Sequence, residues 1–327
     1  MESTPCHIPV LLREVIEYLG IRPGMKILDA TVGLGGHTRG MLEAAGGEAW
    51  VLGLDRDREA LSEAGRRLEA YGERVRLVRT RFGWFPAALS ETGWETVDAA
   101  LVDAGMSSLQ LDDPERGFGF LADGPLDMRM GAEDGGESAE RVVNLASFAR
   151  LREIIREYGE DPQAGRIARA IVAAREEAAI TTTRRLAEVV AAAYPAKWRA
   201  TARQHPATRT FQALRMVVNE ELRELEEFLR AIPDYLAPGG RVAVISFHSL
   251  EDRLVKRAFR LEATDCVCPR EQIVCVCGHR ARFRILTKKP VMAGEAEVAA
   301  NSRARSAKLR VAERVAASPA GIDKEGQ

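Results

Sequence analysis

No apolar run in this 327-residue sequence approaches the ~20 residues that a membrane-crossing helix needs. Ahead of Val10 there is no basic stretch followed by an apolar one, so no secretory signal is expected and the chain reads as cytoplasmic, with no membrane partner. An excess of positive charge is missing too. The formal net charge is -1, so any nucleic-acid surface has to arise from segregation of charge within the fold. Lysine is scarce beside arginine and sits at a few sites such as Lys26, Lys197, Lys288 and Lys289. Arginine suits planar stacking and phosphate forks, but a GC-rich genome produces the same bias. Of five cysteines, four crowd together near the C-terminal end, which excludes a disulfide framework for a chain of this length. What is present is ordinary: 46% hydrophobic and 29% charged residues, enough for a sizeable core and too apolar for a mainly disordered protein. The length fits one large domain or two.

Strand and helix patterns alternate at the start. Lys26 to Thr31 reads as a buried strand entered from the turn Pro23-Gly24, and it runs into Val32-Gly33-Leu34-Gly35-Gly36-His37-Thr38 and a helix through Leu42. Further strands are predicted at Trp50–Asp55, Val75–Val78 and Val97–Asp103, with a helix from about Arg58 to Tyr71. This rhythm implies right-handed crossovers and a parallel sheet covered on both faces. From Ala104 to about Arg215 no convincing strand follows. Instead come a Gly/Asp-rich stretch (Gly117 to Gly136) and helical patterns at Leu151–Tyr158, Gly165–Arg175 and Leu186–Ala193, the last entered through Thr181-Thr182-Thr183. A long amphipathic helix (Phe211 to Leu229), whose stripe suits either core or a dimer interface, precedes the turn Leu236-Ala237-Pro238-Gly239-Gly240 and a fifth strand, Arg241 to Phe247. Arg282–Thr287 and Ala307–Val311 would add two more as a hairpin-like edge. The expected fold is α/β: a doubly wound, mostly parallel seven-stranded sheet with an inserted all-helical domain. The boundaries place 1–105 and 216–315 in the sheet domain, 106–215 in the insert, and 316–327 in a loose polar tail.

A glycine-rich loop after the first strand lets backbone N–H groups approach a ligand at a helix N-terminus. The dinucleotide fingerprint wants a third glycine where this chain has Thr38, a poor fit to NAD. A loop of this kind followed by an acid ending the second strand, Asp55, suits S-adenosylmethionine instead, with Asp55 taking both ribose hydroxyls. Asp103 ends the fourth strand, at the carboxyl edge where such sheets hold ligands. Against this, Asp29 or Asp55 could simply cap a helix, and a lone glycine-rich turn is often structural; it is the combination on successive strands that points to a nucleotide-like cofactor.

Five longer strings are more particular: Thr31-Val-Gly-Leu-Gly-Gly-His37, Ser107-Ser-Leu-Gln-Leu-Asp-Asp-Pro-Glu-Arg-Gly-Phe118, Asp123-Gly-Pro-Leu-Asp-Met-Arg-Met130, His205-Pro-Ala-Thr-Arg-Thr-Phe-Gln-Ala-Leu-Arg215 and Ser246-Phe-His-Ser-Leu-Glu-Asp-Arg253. With these, the chain resembles the RsmH (MraW) family of bacterial 16S rRNA cytosine-N4 methyltransferases from His7 to about Arg314. The resemblance implies a Rossmann-like class I methyltransferase with an inserted helical substrate domain. It implies S-adenosylmethionine as cofactor, S-adenosylhomocysteine as product, and methylation of the exocyclic amine of the P-site cytidine. It places Gly35, Gly36 and His37 in the methionine-binding loop, Asp55 at the ribose and Phe82 beside the adenine, with Asp103 and Gln110 as the remaining cofactor contacts. Where relatives usually read Asp-Leu-Gly-Val-Ser-Ser-Pro-Gln, this chain has Asp103-Ala-Gly-Met-Ser-Ser-Leu-Gln110, which keeps the polar positions and changes apolar ones.

Transfer of a methyl group from a sulfonium needs alignment and desolvation, because the donor is already activated. The difficulty is the cytosine amine, whose lone pair is delocalised, so an acceptor beside it should help. The candidates are Asp103, Asp127 and Ser107, in that order; His37, His205 and His248 are alternatives, though a single histidine more often orients a loop. An unstacked base could be held by Phe118, Phe120 and Arg129, and Arg129, Arg203, His205, Arg209 and Arg215 could line an RNA face; the plain alternatives are local core and a solvated helix face. Cys266, Cys268, Cys275 and Cys277 suggest a structural zinc clamp, although zinc sites favour Cys-x-x-Cys; free thiols or a disulfide are the other readings. An oxidoreductase with a divergent loop and a ribosome-assembly binder without turnover remain as other functional classes. For the leading one, the assembled small subunit is expected as the partner.

Overall fold

The computed structural model describes residues 9–131, 135–201, 204–269, 271–272 and 274–316, so Arg203 and the tail beyond 316 lie outside the described residues. The chain begins with α1 (Leu12–Leu19), β1 (Lys26–Asp29), α2 (Gly36–Ala44), β2 (Trp50–Asp55), α3 (Arg58–Leu68), β3 (Val75–Arg79), α4 (Phe85–Ser90) and β4 (Val97–Asp103). A helical series follows: α5 (Ser108–Asp112), α6 (Ala139–Leu145), α7 (Phe148–Glu157), α8 (Ala164–Glu177), α9 (Thr183–Ala193), α10 (Ala196–Thr201), α11 (Thr208–Val218) and α12 (Glu221–Tyr235). The chain then adds β5 (Leu236–Ser246), α13 (Ser249–Glu262), β6 (Phe283–Ile285), α14 (Glu295–Ala300) and β7 (Lys308–Arg314). Two units separate by their internal contacts: one takes the chain up to Gly105 and from Glu224 onward, the other is Met106–Arg223.

The first unit is a seven-stranded sheet in the order β3-β2-β1-β4-β5-β7-β6. The first five of these strands run parallel, and β7 is antiparallel to both β5 and β6. Alternation along each strand explains the double winding. Ile27, Val51, Leu101 and Ile245 bury one way against Val15 of α1, Met41 of α2 and Leu68 of α3. Their neighbours Leu28, Leu52, Val102 and Val244 bury the other way against Phe85 of α4, Phe228 of α12 and Phe259 of α13. Both faces are therefore covered, as a parallel sheet requires. The first unit is thus a doubly wound α/β fold with a seven-stranded, mostly parallel sheet.

The expected turn at 236–240 is instead part of a longer strand. Leu236 pairs with Val97 and Arg241 with Ala99, so the residues between them bulge out within the ladder. Gly239 there has φ +80°, a conformation that glycine adopts without penalty.

In the second unit, Val143 of α6, Ile154 of α7, Ile171 of α8, Val190 of α9 and Leu214 of α11 share one core. The expected long helix from Phe211 to Leu229 is broken. Asn219 is fully buried, and its Oδ1 accepts from the Met130 amide at 2.9 Å while its Nδ2 donates to the Met128 carbonyl at 2.7 Å. Glu220 follows at φ +52°. The apolar period runs on through the break, which is why the pattern alone reads as continuous. This break also moves the unit boundary to Arg223/Glu224 from the expected 215/216, because α11 packs into the second unit's core.

Candidate active site

The parallel strands β1 to β4 deliver their carboxyl ends to one edge of the first unit. Asp29 ends β1, Asp55 ends β2 and Asp103 ends β4. Between β1 and α2, Gly33 (φ +51°) and Gly35 (φ +80°) adopt left-handed backbone that lets the chain turn sharply into the helix. The N-cap residue of α2 is Gly35, which has no side chain to offer, and the Asp29 carboxylate takes a hydrogen bond from the Thr38 amide in the helix's first turn. At Gly36 the reason for glycine is different: a Cβ there would lie 2.6 Å from the Pro9 ring.

The three acids are wired differently. Asp29 is fully buried, accepts from the Thr38 hydroxyl at 2.6 Å and from the Thr31 amide at 3.3 Å. Burial raises its pKa above the usual carboxylate range, against those hydrogen bonds. Asp55 Oδ2 accepts from the Gly33 amide at 2.9 Å and Oδ1 from the Asp57 amide at 2.8 Å, so the glycine loop is tied to the end of β2. The helix-capping role open to Asp55 belongs to Asp57, which accepts from the Glu59 amide at the start of α3. Desolvation pushes Asp55 up to about 6.

Asp103 is held through its backbone, its amide donating to Thr31 Oγ1 at 2.6 Å. Its Oδ2 lies 3.6 Å from His37 Nδ1. Its Oδ1 is buried and accepts no hydrogen bond among the described residues. Burial pushes this carboxyl up to about 6, with His37 opposing and the Asp29 and Glu251 carboxylates adding to the rise. His37 Nε2 meets the Val10 carbonyl at 2.9 Å. A carbonyl only accepts, so Nε2 carries the proton. Nδ1 is then the ring atom that faces Asp103 Oδ2. Phe82 follows β3 at the same edge, its ring edge-on to Phe228 with centroids 6.0 Å apart. His248 caps α13, its Nδ1 accepting from the Glu251 amide at 3.5 Å.

The remaining candidates lie in the second unit. Ser107 and Gln110 form the capping box of α5: Ser107 Oγ accepts from the Gln110 amide and Gln110 Oε1 from the Ser107 amide. Asp127 is gripped by the Arg129 guanidinium at 2.6 Å. Burial raises the Asp127 pKa, but the hydrogen bonds and charge of Arg129 outweigh it and leave the carboxyl below its usual value, so Asp127 makes a weak base. Arg215, expected on an RNA face, is committed to Glu221 through two 2.8 Å hydrogen bonds with 13% of its side chain exposed. Arg209 donates to the Glu160 carbonyl at 3.0 Å, and His205 packs on Phe120 at 4.7 Å between centroids. Phe118 belongs to the core, as its plain reading had it.

The model of the MraW methylase family matches residues 4–315. The chain belongs to the MraW methylase family. A ribosomal RNA small subunit methyltransferase H from Solidesulfovibrio magneticus is 84% identical over 100% of both chains. One from Oleidesulfovibrio alaskensis is 60% identical over 94% of this chain and 95% of its own. Among solved structures, an rRNA methylase from Streptococcus thermophilus has a TM-score of 0.39 at 12% identity, covering 94% of this chain and 93% of its own. TrmN from Thermus thermophilus has a TM-score of 0.40 at 15% identity, covering 93% of this chain and 48% of its own. Within this family member, sequence reasoning missed the supporting set Thr31, Thr38 and Val10, and undervalued Asp29. The signal was there as Asp29-x-Thr31 closing β1, but a threonine two residues past a strand has no distinctive chemistry until Asp103 is seen beside it.

Proposed function

We propose that this chain transfers the methyl group of S-adenosylmethionine to the exocyclic N4 amine of the P-site cytidine in 16S rRNA of the small ribosomal subunit. The observation that carries the cofactor is the charge of the pocket. Asp29, Asp55 and Asp103 crowd one edge; burial raises Asp55 and Asp103, and the like charge of Asp29 adds to the rise of each. Such a site repels the pyrophosphate of a dinucleotide and suits a ligand bearing a sulfonium and an ammonium. The residues present fit this donor: the glycine loop Gly33–Gly36 leads into α2, Asp55 has backbone-fixed oxygens for a ribose, and Asp103 Oδ1 is a buried acceptor with no hydrogen bond among the described residues. When bound, S-adenosylmethionine supplies a methyl group on a sulfonium with a neutral leaving group.

The protein's work is then to exclude water, align the amine and receive its proton. Asp103 Oδ1 is the acceptor in this reading. A carboxylate near 6 is ionised at neutral pH yet more basic than an ordinary aspartate, which suits proton transfer. His37 Nδ1 lies beside the other oxygen, at 3.6 Å. Asp127, being ion-paired, and Ser107, being in a capping box, are the weaker acceptors. The family match and the names of the relatives support rRNA of the small subunit as substrate. The test is tritium transfer from labelled S-adenosylmethionine to small subunits lacking this modification, with nucleoside analysis. Label in N4-methylcytidine is expected. No transfer alongside tight S-adenosylhomocysteine binding would keep the pocket and reject the RNA.

A further inference from the structure

The segment 263–282, between α13 and β6, contains no helix or strand among its described residues. Its neck is fastened by ordinary polar contacts. The Arg282 amide donates to the Glu262 carbonyl at 2.7 Å and its guanidinium grips the Glu262 carboxylate at 2.6 and 2.8 Å. The Ala281 amide donates to Asp265 at 3.2 Å, and His279 Nε2 to the Leu261 carbonyl at 3.0 Å. Its head is open to solvent: Val267, Val274 and Val276 are 43%, 70% and 72% exposed, so these side chains give the loop little apolar support. Ordering each backbone residue costs ~1–2 kcal/mol, and something must offset that cost.

What converges there is sulfur. The Sγ atoms of Cys266, Cys268, Cys275 and Cys277 all lie within 4.8 Å of one another. Cys266–Cys275 is 3.5 Å, Cys275–Cys277 is 3.6 Å and Cys266–Cys277 is 3.8 Å. A disulfide needs ~2.05 Å, so these are thiols, not bridges. A tetrahedron of sulfurs ~2.3 Å from a zinc ion has edges of about 3.8 Å, close to the separations found. The two Cys-x-Cys pairs, tighter than the usual zinc spacing, nevertheless bring their four Sγ atoms to one point. The Val267 amide donates to Cys277 Sγ at 3.4 Å, the kind of outer contact that steadies a thiolate ligand.

We propose that Cys266, Cys268, Cys275 and Cys277 bind one zinc ion as a closed tetrathiolate site that holds this insert in shape. With all four positions filled by protein sulfur, the ion has no open position for substrate, so the site is structural. Binding replaces four S–H bonds with four Zn–S bonds, and the thiol protons pass to solvent, so affinity falls as pH falls.

The test uses the full chain purified under reducing conditions. Metal analysis by mass spectrometry should give one zinc per chain, and the double variant Cys275→Ser/Cys277→Ser should give none. Because that variant could unfold, cobalt(II) added to chelator-stripped wild type provides the second reading: tetrahedral d–d bands with an intense thiolate charge-transfer band are expected. All five cysteines titrating as free thiols with no zinc after anaerobic reconstitution, zinc retained in the double variant, iron as the resident metal, or octahedral cobalt spectra would each overturn the proposal.

Discussion

Asp103 concentrates the chemistry of the first unit because three demands meet on one side chain. Its amide is pinned to Thr31, one oxygen faces His37, and the other is buried without a partner. If that oxygen accepts the amine proton, Asp103→Asn should lower kcat by ~10²–10⁴ while S-adenosylhomocysteine affinity, read by calorimetry, changes less than about tenfold. Equal losses in both would assign Asp103 to the donor instead. The pH profile follows from the raised pKa: activity should climb as pH rises through about 6, where the carboxyl ionises. A rate flat from pH 5 to 8 would remove Asp103 from that role. Stability runs the other way. An acid whose folded pKa lies above its unfolded value keeps its proton more tightly in the fold. That contribution is intact below ~3.9 and lost as pH rises through about 6. Asp103→Asn should therefore stabilise the chain by about 2 kcal/mol at pH 7.5 and by much less at pH 4, measured by urea unfolding at both.

Among the elements, the break between α11 and α12 shows what periodicity conceals. Met128 is buried with φ +63°, an unfavourable backbone for a side-chain-bearing residue. The Asn219 carboxamide holds the turn that follows it, through the Met128 carbonyl and the Met130 amide. Asn219→Ala should cost about 3 kcal/mol, since it leaves buried backbone groups without partners; a denaturation midpoint unchanged from wild type would contradict this. Strands and glycine turns were legible because their signals are local: a short apolar run, a left-handed glycine, an acid at a strand end. Trp50–Asp55 and Val97–Asp103 come out with their expected bounds. The break at Asn219, the bulge in β5 and the grip of Arg129 on Asp127 were not, because each depends on a partner distant in sequence or on a turn that only the folded chain defines. The four cysteines sat between: their clustering was plain, their convergence was not.

On the scale of the whole molecule, three cores organise the chain, one on each face of the sheet and one among the helices of the second unit. A net charge of -1 leaves no general attraction for RNA, so recognition has to rest on a local surface and on the shape of the target. The P-site nucleotide proposed above as the target would lie in a composite surface of the particle. Methyl transfer should accordingly be faster on assembled small subunits than on naked 16S transcript at equal salt, and equal rates would reject the particle as the true substrate.

The placement of β7 has a consequence in time. It lies in the sheet between β5 and β6, pairing Lys308 with Ser246 and Arg314 with Phe283. Synthesis is directional, at about 5–20 residues per second. The emerging β5 therefore waits several seconds with one row of N–H and C=O groups unpaired before its neighbour is made. Until then β6 has no strand to join, and the half-finished sheet presents an open edge of the kind that templates aggregation. A nascent chain stalled before Lys308 should be a chaperone client, and maturation of this protein should be gated by its last strand.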